Sequence, residues 1–159
     1  ETMFYRGTLL DNVTFGMDET NPNRQSEHVW KILTKLGITN RLKNFFLDGE
    51  ELSWSEVLSQ SECQTLNLAR CMAFNPEVLC IDQPMRAFDD NRSIYILQQL
   101  REFVTNKGLE QRPDSIASRR PRTCIFTIQR YHLLKGKVDV VYTVSIAKGI
   151  EVLERYGCH

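Results

Sequence analysis

Residues 57–90 read VLSQSECQTLNLARCMAFNPEVLCIDQPMRAFDD, and this stretch decides the fold prediction. Ser59 and Glu62 have the spacing of a capping box, in which a hydroxyl and a carboxylate each satisfy an unpaired backbone N–H group at a helix start. Apolar and small residues follow at helical spacing until Asn75-Pro76, where the helix must end because proline cannot continue the hydrogen-bond ladder. We therefore predict a helix between Ser59 and Asn75.

A short strand is predicted directly after this helix. Residues 78–81, VLCI, are apolar, uncharged and bounded by turn-forming residues, which is typical of a strand buried in a parallel sheet. Asp82 then lies at the carboxyl end of the strand, where open α/β sheets place their ligand sites. The stretch indicates an α/β protein with a candidate site at Asp82.

These motifs together resemble the nucleotide-binding domain of ABC transporters. Residues 58–64 lie at the signature motif (family pattern LSGGQxQ), residues 78–82 at Walker B and residues 86–89 at the D-loop (family pattern SALD). The resemblance implies an incomplete P-loop NTPase-like (RecA-like) core with a parallel sheet, and an α-helical subdomain that carries the signature.

The resemblance covers nearly the whole chain, with Glu1-Thr2 placed directly after the family's Q-loop glutamine. It implies that residues 1–66 comprise the segment after the Q-loop and the helical subdomain with the signature region. Residues 67–159 would form the carboxyl-terminal part of the RecA-like core, with Walker B, D-loop and H-loop. The Walker A loop, GxxxxGK followed by Ser or Thr, does not occur in the 159 residues, so this sequence lacks the main phosphate cradle.

Apolar periodicity predicts further elements on both sides of the central stretch. Helices are predicted at residues 26–37, with Ser26 as the cap, at about 40–46 and at 93–104, and strands at residues 123–128, 138–144 and 149–153. Trp54 is predicted to be a packing anchor and not a ligand contact, because tryptophan side chains are usually well buried.

Several motif positions depart from the family pattern in ways that bear on function. Gln60 and Ser61 replace the signature glycines, which let backbone N–H groups approach the γ-phosphate of an ATP bound on the opposing domain. Gln83 replaces the Walker B glutamate and Gln129 replaces the H-loop histidine. An amide can hydrogen-bond water but cannot accept its proton at neutral pH, so the resemblance implies a pseudo-ATPase. His132, three residues after Gln129, is expected to point elsewhere.

The resemblance assigns three groups of candidate site residues. The nucleotide-contacting positions are Ser59, Gln60, Ser61 and Glu62 of the signature region and Asp89 of the D-loop; the catalytic positions are Gln83 and Gln129; the magnesium ligand is Asp82. Asp82 also has a purely structural interpretation, since a lone carboxylate at a strand end often caps the next turn.

Three hypotheses for the function follow. The first is a degenerate domain, inactive by itself, that acts as a structural or regulatory partner of an ABC transporter. The second is a fragment of a full transporter subunit that binds ATP and couples ATP binding to transmembrane transport. The third is a scaffold protein that has the same fold but takes no part in transport. ATP and Mg²⁺ are expected only with a missing amino-terminal half or a partner, and none for the isolated chain.

The expected partners are a second nucleotide-binding domain and transmembrane domains, which would place the chain at the cytosolic face of a membrane. Removing the first strands of the core would also expose a sheet edge and face, so self-association is expected. Twenty basic and twenty acidic residues give a net charge of zero, which provides no electrostatic basis for binding nucleic acid. No apolar run approaches the roughly 20 residues that span a bilayer.

Residues 105–122, TNKGLEQRPDSIASRRPR, form a long charged loop where the family usually has only a few residues. Arg119, Arg120 and Arg122 beside Ser115 and Ser118 are compatible with a partner-binding or phosphorylation-linked patch. A solvated, flexible insert is the other interpretation. The five cysteines form no CxxC pair and are expected to be reduced thiols, at positions 63, 71, 80, 124 and 158.

Overall fold

The computed structural model describes residues 3–156, so Glu1-Thr2 and Cys158 lie outside the described residues. The α-helices are α1 (Leu9–Val13), α2 (Ser26–Lys35), α3 (Asn40–Asp48), α4 (Trp54–Val57), α5 (Gln60–Phe74) and α6 (Asp90–Thr105). The strands are β1 (Val78–Ile81), β2 (Thr123–Phe126), β3 (Val140–Ser145) and β4 (Gly149–Arg155). Short 3₁₀ turns cover Pro22–Arg24, Pro113–Ser115 and Tyr131–Leu134.

The hydrophobic core is built mainly by helices. Helices α1 and α2 pack against α5, while the 3₁₀ turn at Tyr131–Leu134 and strand β2 pack against α6. Trp54 is 1% exposed, and its ring N–H donates to the backbone oxygen of Gly7 at 2.7 Å. Its ring also meets Phe45 edge-on, with 5.6 Å between the centroids. These contacts confirm Trp54 as a packing anchor.

A side-chain cap places the start of α5. In α5 the Ser59 hydroxyl accepts from the Glu62 N–H and the Glu62 side chain accepts from the Ser59 N–H, which confirms the capping box. The helix ends at Asn75, whose φ of 52° lies in the left-handed region. The prediction of Ser26 as a cap was wrong, because Ser26 is the first residue of α2 and Gln25 occupies the cap position without a side-chain hydrogen bond.

Strands β1 and β2 form a parallel pair in which Val78 lies beside Thr123 and Ile81 beside Phe126. β2 ends at Phe126, two residues before the predicted end. The prediction that β1 is fully buried was wrong, since Leu79 is 4% exposed but Val78 is 59% exposed. Alternate side chains point to opposite faces, and within residues 3–156 only one face of this pair packs against the core.

Strands β3 and β4 form the predicted antiparallel pair, with a bulge between Val141 and Tyr142. Tyr142 pairs with Val152, and Val144 pairs with Ile150. All four side chains are at least 45% exposed. An isolated two-stranded hairpin is only marginally stable in water, so this apolar stripe needs a covering layer.

Helix α6 begins at Asp90, three residues before the predicted start, because Asp89 caps it by accepting from the Arg92 N–H at 2.7 Å. The proposed division between residues 1–66 and 67–159 falls inside α5, so this helix belongs to both parts. The insert at residues 105–122 packs against the rest of the protein at some positions, which the interpretation as a solvated insert does not predict. Leu109 is fully buried within it, and the Arg119 guanidinium donates to backbone oxygens.

Within residues 3–156, no helix is long and apolar enough to cross a membrane.

Candidate functional site

The carboxyl ends of β1 and β2 bring Asp82 and Thr127 into contact. The Thr127 hydroxyl donates to the Asp82 carboxylate and accepts from the Gln83 N–H at 2.9 Å. Asp82 therefore has a structural partner that ties the two strand ends together. Gln83 has a φ of 45°, which is uncommon for a residue other than glycine.

A cavity of about 110 Å³ lies beside this contact and brings together the two candidate catalytic positions. Gln83 and Gln129 both line it, although they are 46 positions apart in the chain. The remaining lining residues are Met85, Arg86, Thr127, Ile128 and Arg130. The fold thus brings Gln83 and Gln129 to one cavity, and both side chains end in amides, which cannot accept a proton at neutral pH.

Arg130 fixes the loop between β1 and α6 against the end of β2. One guanidinium nitrogen, Nη2, donates to the backbone oxygens of Met85 and Phe88 at 2.8 and 2.9 Å, and to the Ser93 hydroxyl at 2.9 Å. Nη1 donates to the Asp90 carboxylate. Arg130 therefore positions the cavity wall without being one of the predicted site residues.

His132 does not take the place of the missing histidine. Its Nε2 lies 3.7 Å from the Asp90 carboxylate, and its side chain is 61% exposed. It is not among the residues that line the cavity with Gln83 and Gln129. The expectation that His132 points elsewhere is confirmed.

At the signature end, the Glu62 carboxylate is fully engaged by its neighbours. Arg41 donates to it in an ion pair, the Thr39 hydroxyl donates at 2.9 Å, and the Ser59 hydroxyl and N–H donate at 2.8 and 3.0 Å. The Glu62 side chain is only 7% exposed. Burial by itself would raise the pKa of Glu62, but the hydrogen bonds from Arg41, Ser59 and Thr39 outweigh burial and lower this pKa from 4.5 to about 2.

A cleft of about 330 Å³ separates the start of α5 from the loop before α6. Ser61 and Glu62 line one wall and Asp89 lines the other, so the cleft unites three of the candidate nucleotide contacts. Ser59 and Gln60 are exposed and are not among its lining residues. Asp89 is also committed to capping α6, so its carboxylate has a structural function here.

Asp82 is the one candidate magnesium ligand that the resemblance assigns to this chain. Mg²⁺ in such sites takes one or two carboxylates together with substrate phosphates and waters, and the exposed Asp82 fits as one of these ligands. Within residues 3–156, no three His, Cys, Asp or Glu side chains cluster closely enough to hold a metal ion. With no Walker A loop in the sequence, the residues present do not form a complete magnesium–ATP site.

The structure adds residues that the sequence reasoning missed. Thr127 and Arg130 flank the H-loop position, and a search beside Gln129 would have found them. Thr39 and Arg41 contact Glu62 from the start of α3, more than 20 positions away. No local sequence signal indicates that distant contact.

Comparisons with known proteins agree with this architecture. No family model matches the chain. Over 106 residues, or 67% of the chain, it is 32% identical to the sulfate/thiosulfate import ATP-binding protein CysA 1 of Rhizobium meliloti. It is 28% identical over 66% of its length to the aliphatic sulfonates import ATP-binding protein SsuB of Zymomonas mobilis, and 24% identical over 94% to the methionine import ATP-binding protein MetN of Salmonella enteritidis. The chain spans 30%, 37% and 41% of CysA 1, SsuB and MetN respectively.

The solved structures point to the same fold. The dimeric structure of MJ0796, a bacterial ABC transporter cassette, superposes with a TM-score of 0.64 at 17% identity over 94% of this chain and 58% of that one. The ADP conformation of the cassette MJ1267 gives a TM-score of 0.51 at 16% identity. The fold is therefore an incomplete P-loop NTPase-like α/β core of the ABC cassette type. The chain belongs to the ABC nucleotide-binding domains and spans less than half the length of these relatives.

Proposed function

We propose that this chain is a degenerate ABC nucleotide-binding domain that does not hydrolyse ATP by itself and acts as a structural or regulatory partner of an ABC transporter. The proposal rests mainly on the observation that Gln83 and Gln129 line one cavity. Neither amide can accept a proton from an attacking water at neutral pH. Losing one positioned acid or base typically costs about 10² to 10⁴ in rate, and both positions are changed here.

The signature end supports the same proposal. Gln60 is the first residue of α5 and Ser61 the second, so their side chains crowd the helix N-terminus that glycines would leave open to phosphate. The Ser59 hydroxyl and the Glu62 carboxylate are already engaged in the capping box. At this end of the helix, side chains occupy the space, and the capping box uses the polar groups, that a nucleotide phosphate would need.

A second candidate function is ATP binding with slow or no hydrolysis, in a polypeptide or complex that supplies a phosphate-binding loop. The observation in its favour is that the strand ends remain assembled. Thr127 holds Asp82, and Arg130 holds the loop before α6. A nucleotide would then be held beside Asp82 and Gln83 without being turned over.

Calorimetry with ATP and Mg²⁺ separates the two candidates when the chain is combined with a polypeptide that supplies a Walker A loop, because the second candidate requires that loop. The first candidate expects this chain to add no binding tighter than about 100 μM, roughly −5.5 kcal/mol on the affinity scale. Tighter binding that weakens in an Asp82→Ala variant would favour the second candidate. Rapid ATP turnover by the wild-type chain alone would contradict both.

A gain-of-function experiment tests the role of the two amides. In an assembly that supplies a Walker A loop, Gln83→Glu with Gln129→His should raise ATP turnover by about 10² or more, because both proton-handling groups are restored. Gln83→Asn with Gln129→Asn is the matched control and should stay inactive. Equal turnover of the restored and control variants would overturn the assignment of these positions.

For partners, we infer a second nucleotide-binding domain and transmembrane domains, which would place the chain at the cytosolic face of a membrane. The names of CysA 1, SsuB and MetN describe import ATP-binding proteins, and the MJ0796 cassette is described as dimeric. The exposed stripe on the β3–β4 hairpin and the open face of β1 and β2 also favour association, including self-association in the isolated chain. Copurification with proteins that lack transporter membrane domains would instead favour the scaffold hypothesis.

A further inference from the structure

The insert at residues 105–122 contains a serine three positions after an arginine, in the order Arg112-Pro113-Asp114-Ser115. Ser115 ends the 3₁₀ turn at Pro113–Ser115, and its side chain is partly exposed. Its hydroxyl donates to the backbone oxygen of Arg112 at 2.8 Å. A reactive hydroxyl therefore lies on the surface, one turn away from a basic side chain.

Arg119 holds the insert against the end of α6 and lies close to the same serine. Its Nη1 donates to the backbone oxygen of Asn106 at 2.8 Å. Its Nη2 donates to the backbone oxygen of Arg112 at 3.1 Å, which is the oxygen that Ser115 also uses. The Ser115 hydroxyl and Arg119 Nη2 are thus within about 6 Å of each other, close enough for a phosphoryl group on the serine to bridge them.

The guanidinium of Arg119 has unused capacity for an anion. Its Nε is buried and has no hydrogen-bond partner among the residues that the structure describes. The nearby Arg112 side chain is 86% exposed and lies 3.7 Å from the carboxylate of Asp114. Both arginines therefore have donors that a phosphate on Ser115 would satisfy better than the present partners do.

We propose that Ser115 is a phosphorylation site for a serine/threonine kinase that selects substrates with arginine three positions before the acceptor. The Ser115 Oγ attacks the γ-phosphorus of the kinase's ATP, the new O–P bond forms, ADP leaves, and a base of the kinase takes the hydroxyl proton. Arg112 is the arginine that the kinase recognises. Ser118 lacks an arginine at the equivalent distance, because Ser115 occupies that position.

The modification changes how the insert is anchored. Phosphoserine has no hydroxyl proton to donate to Arg112 and carries a charge of about −1.5 to −2 at neutral pH. Arg119 turns to this dianion and leaves the backbone oxygens of Asn106 and Arg112, since a guanidinium binds a charged phosphate, to which it can donate two parallel bonds, more strongly than an uncharged carbonyl oxygen. The segment after α6 is then released, while the Arg122 contact to Asn75 at 3.0 Å keeps the far end in place.

Phosphorylation of the folded 159-residue chain tests the acceptor. A purified kinase with this arginine requirement, ATP and Mg²⁺ should place one phosphate on Ser115, mapped by tandem mass spectrometry. Ser115→Ala should abolish labelling, Arg112→Ala should slow it at least tenfold, and the matched control Ser118→Ala should leave it unchanged. A phosphate on Ser118, equal rates with Arg112→Ala, or labelling of a peptide covering 109–120 but not of the folded chain would each overturn the proposal.

Hydrogen exchange tests the consequence with a separate readout. Phosphorylated protein should exchange faster across residues 106–119 than unmodified protein, with no change in α5. Arg119→Gln should show this faster exchange before modification and gain little from phosphorylation. Unchanged exchange on phosphorylation, or an equal increase in the Arg119→Gln variant, would overturn the role of Arg119.

Discussion

The helices and the strands of this chain differ in how far their apolar side chains are buried. Helices α2, α5 and α6 contribute side chains that are 0–2% exposed, such as Ile32, Leu66 and Phe103. Among the strands described within residues 3–156, Leu79 is the single buried apolar side chain. Stability therefore rests on the helices, while the strands are held mostly by their own ladders and by contacts at their ends.

The two regions also differ in what has happened to the family motifs. Three motif residues that match the family pattern make structural hydrogen bonds here: Ser59 caps α5, Asp89 caps α6, and Asp82 accepts from Thr127. The positions that differ from the family pattern include Gln60 and Ser61 of the signature region and the candidate catalytic positions Gln83 and Gln129. The three matching residues therefore hold local structure, whatever chemistry the differing positions support.

The largest expected effect tests whether the helical region carries the stability. Trp54→Ala should lower the free energy of unfolding by about 4 kcal/mol, because it empties a fully buried site and removes the ring N–H that donates to the Gly7 carbonyl oxygen. Thermal or urea unfolding measures this loss. Tyr142→Ala, on the 57% exposed hairpin face, is the control and should change stability by less than about 1 kcal/mol. Equal losses would break the comparison.

The second prediction concerns the pH dependence of the signature end. The pKa of Glu62 is lowered to about 2 in the folded protein from 4.5, so its contribution is fully present above pH 4.5 and is lost as the pH falls towards 2. The loss should amount to about 3 kcal/mol at most, because a pKa difference of one between the folded and unfolded states corresponds to about 1.36 kcal/mol. Urea unfolding from pH 6 to pH 2.5 should show it in wild type. The difference between wild type and Glu62→Gln should shrink over this interval, and a constant difference would contradict the assignment.

The third prediction concerns how the strand ends are held. Arg130→Ala removes the donors to Met85, Phe88 and Ser93, and should lower the free energy of unfolding by about 2 kcal/mol. His132→Ala on the same turn is the control and should stay within about 0.5 kcal/mol, because His132 is 61% exposed. If both variants behave alike in urea unfolding, the guanidinium contacts do not stabilise this loop.

The last prediction concerns the open face of β1 and β2 and involves no change in stability. It compares the rates at which two cysteine thiols are labelled. Cys80 is exposed on the open face, whereas burial raises the pKa of Cys124 on the other face to about 12. Because the thiolate is the reactive form, iodoacetamide should modify Cys80 at least about tenfold faster than Cys124 in the folded chain. Mass spectrometry of a Cys158→Ser variant measures both rates, and urea should equalise them. Protection of Cys80 at high protein concentration would indicate self-association through this face.

The sequence alone determined the features that depend on neighbours a few positions apart. The capping box at Ser59, the helix end at Asn75, the strand before Asp82 and the hairpin near the carboxyl end were all predicted, because caps and side-chain periodicity act within one or two turns of chain. The family motifs added Gln83 and Gln129 as candidate catalytic positions, and the structure shows that both residues line one cavity.

Only the tertiary structure decided which groups remain available at these positions. Thr39 and Arg41 occupy the buried Glu62 carboxylate, whereas Thr127, which lies 45 positions away, contacts one oxygen of Asp82 and leaves this carboxylate exposed. The open face of β1 and the anchoring of Arg119 likewise depend on how distant segments pack. Such contacts join residues that are far apart in sequence, so they depend on how the whole chain folds. Caps and side-chain periodicity depend only on a few consecutive residues.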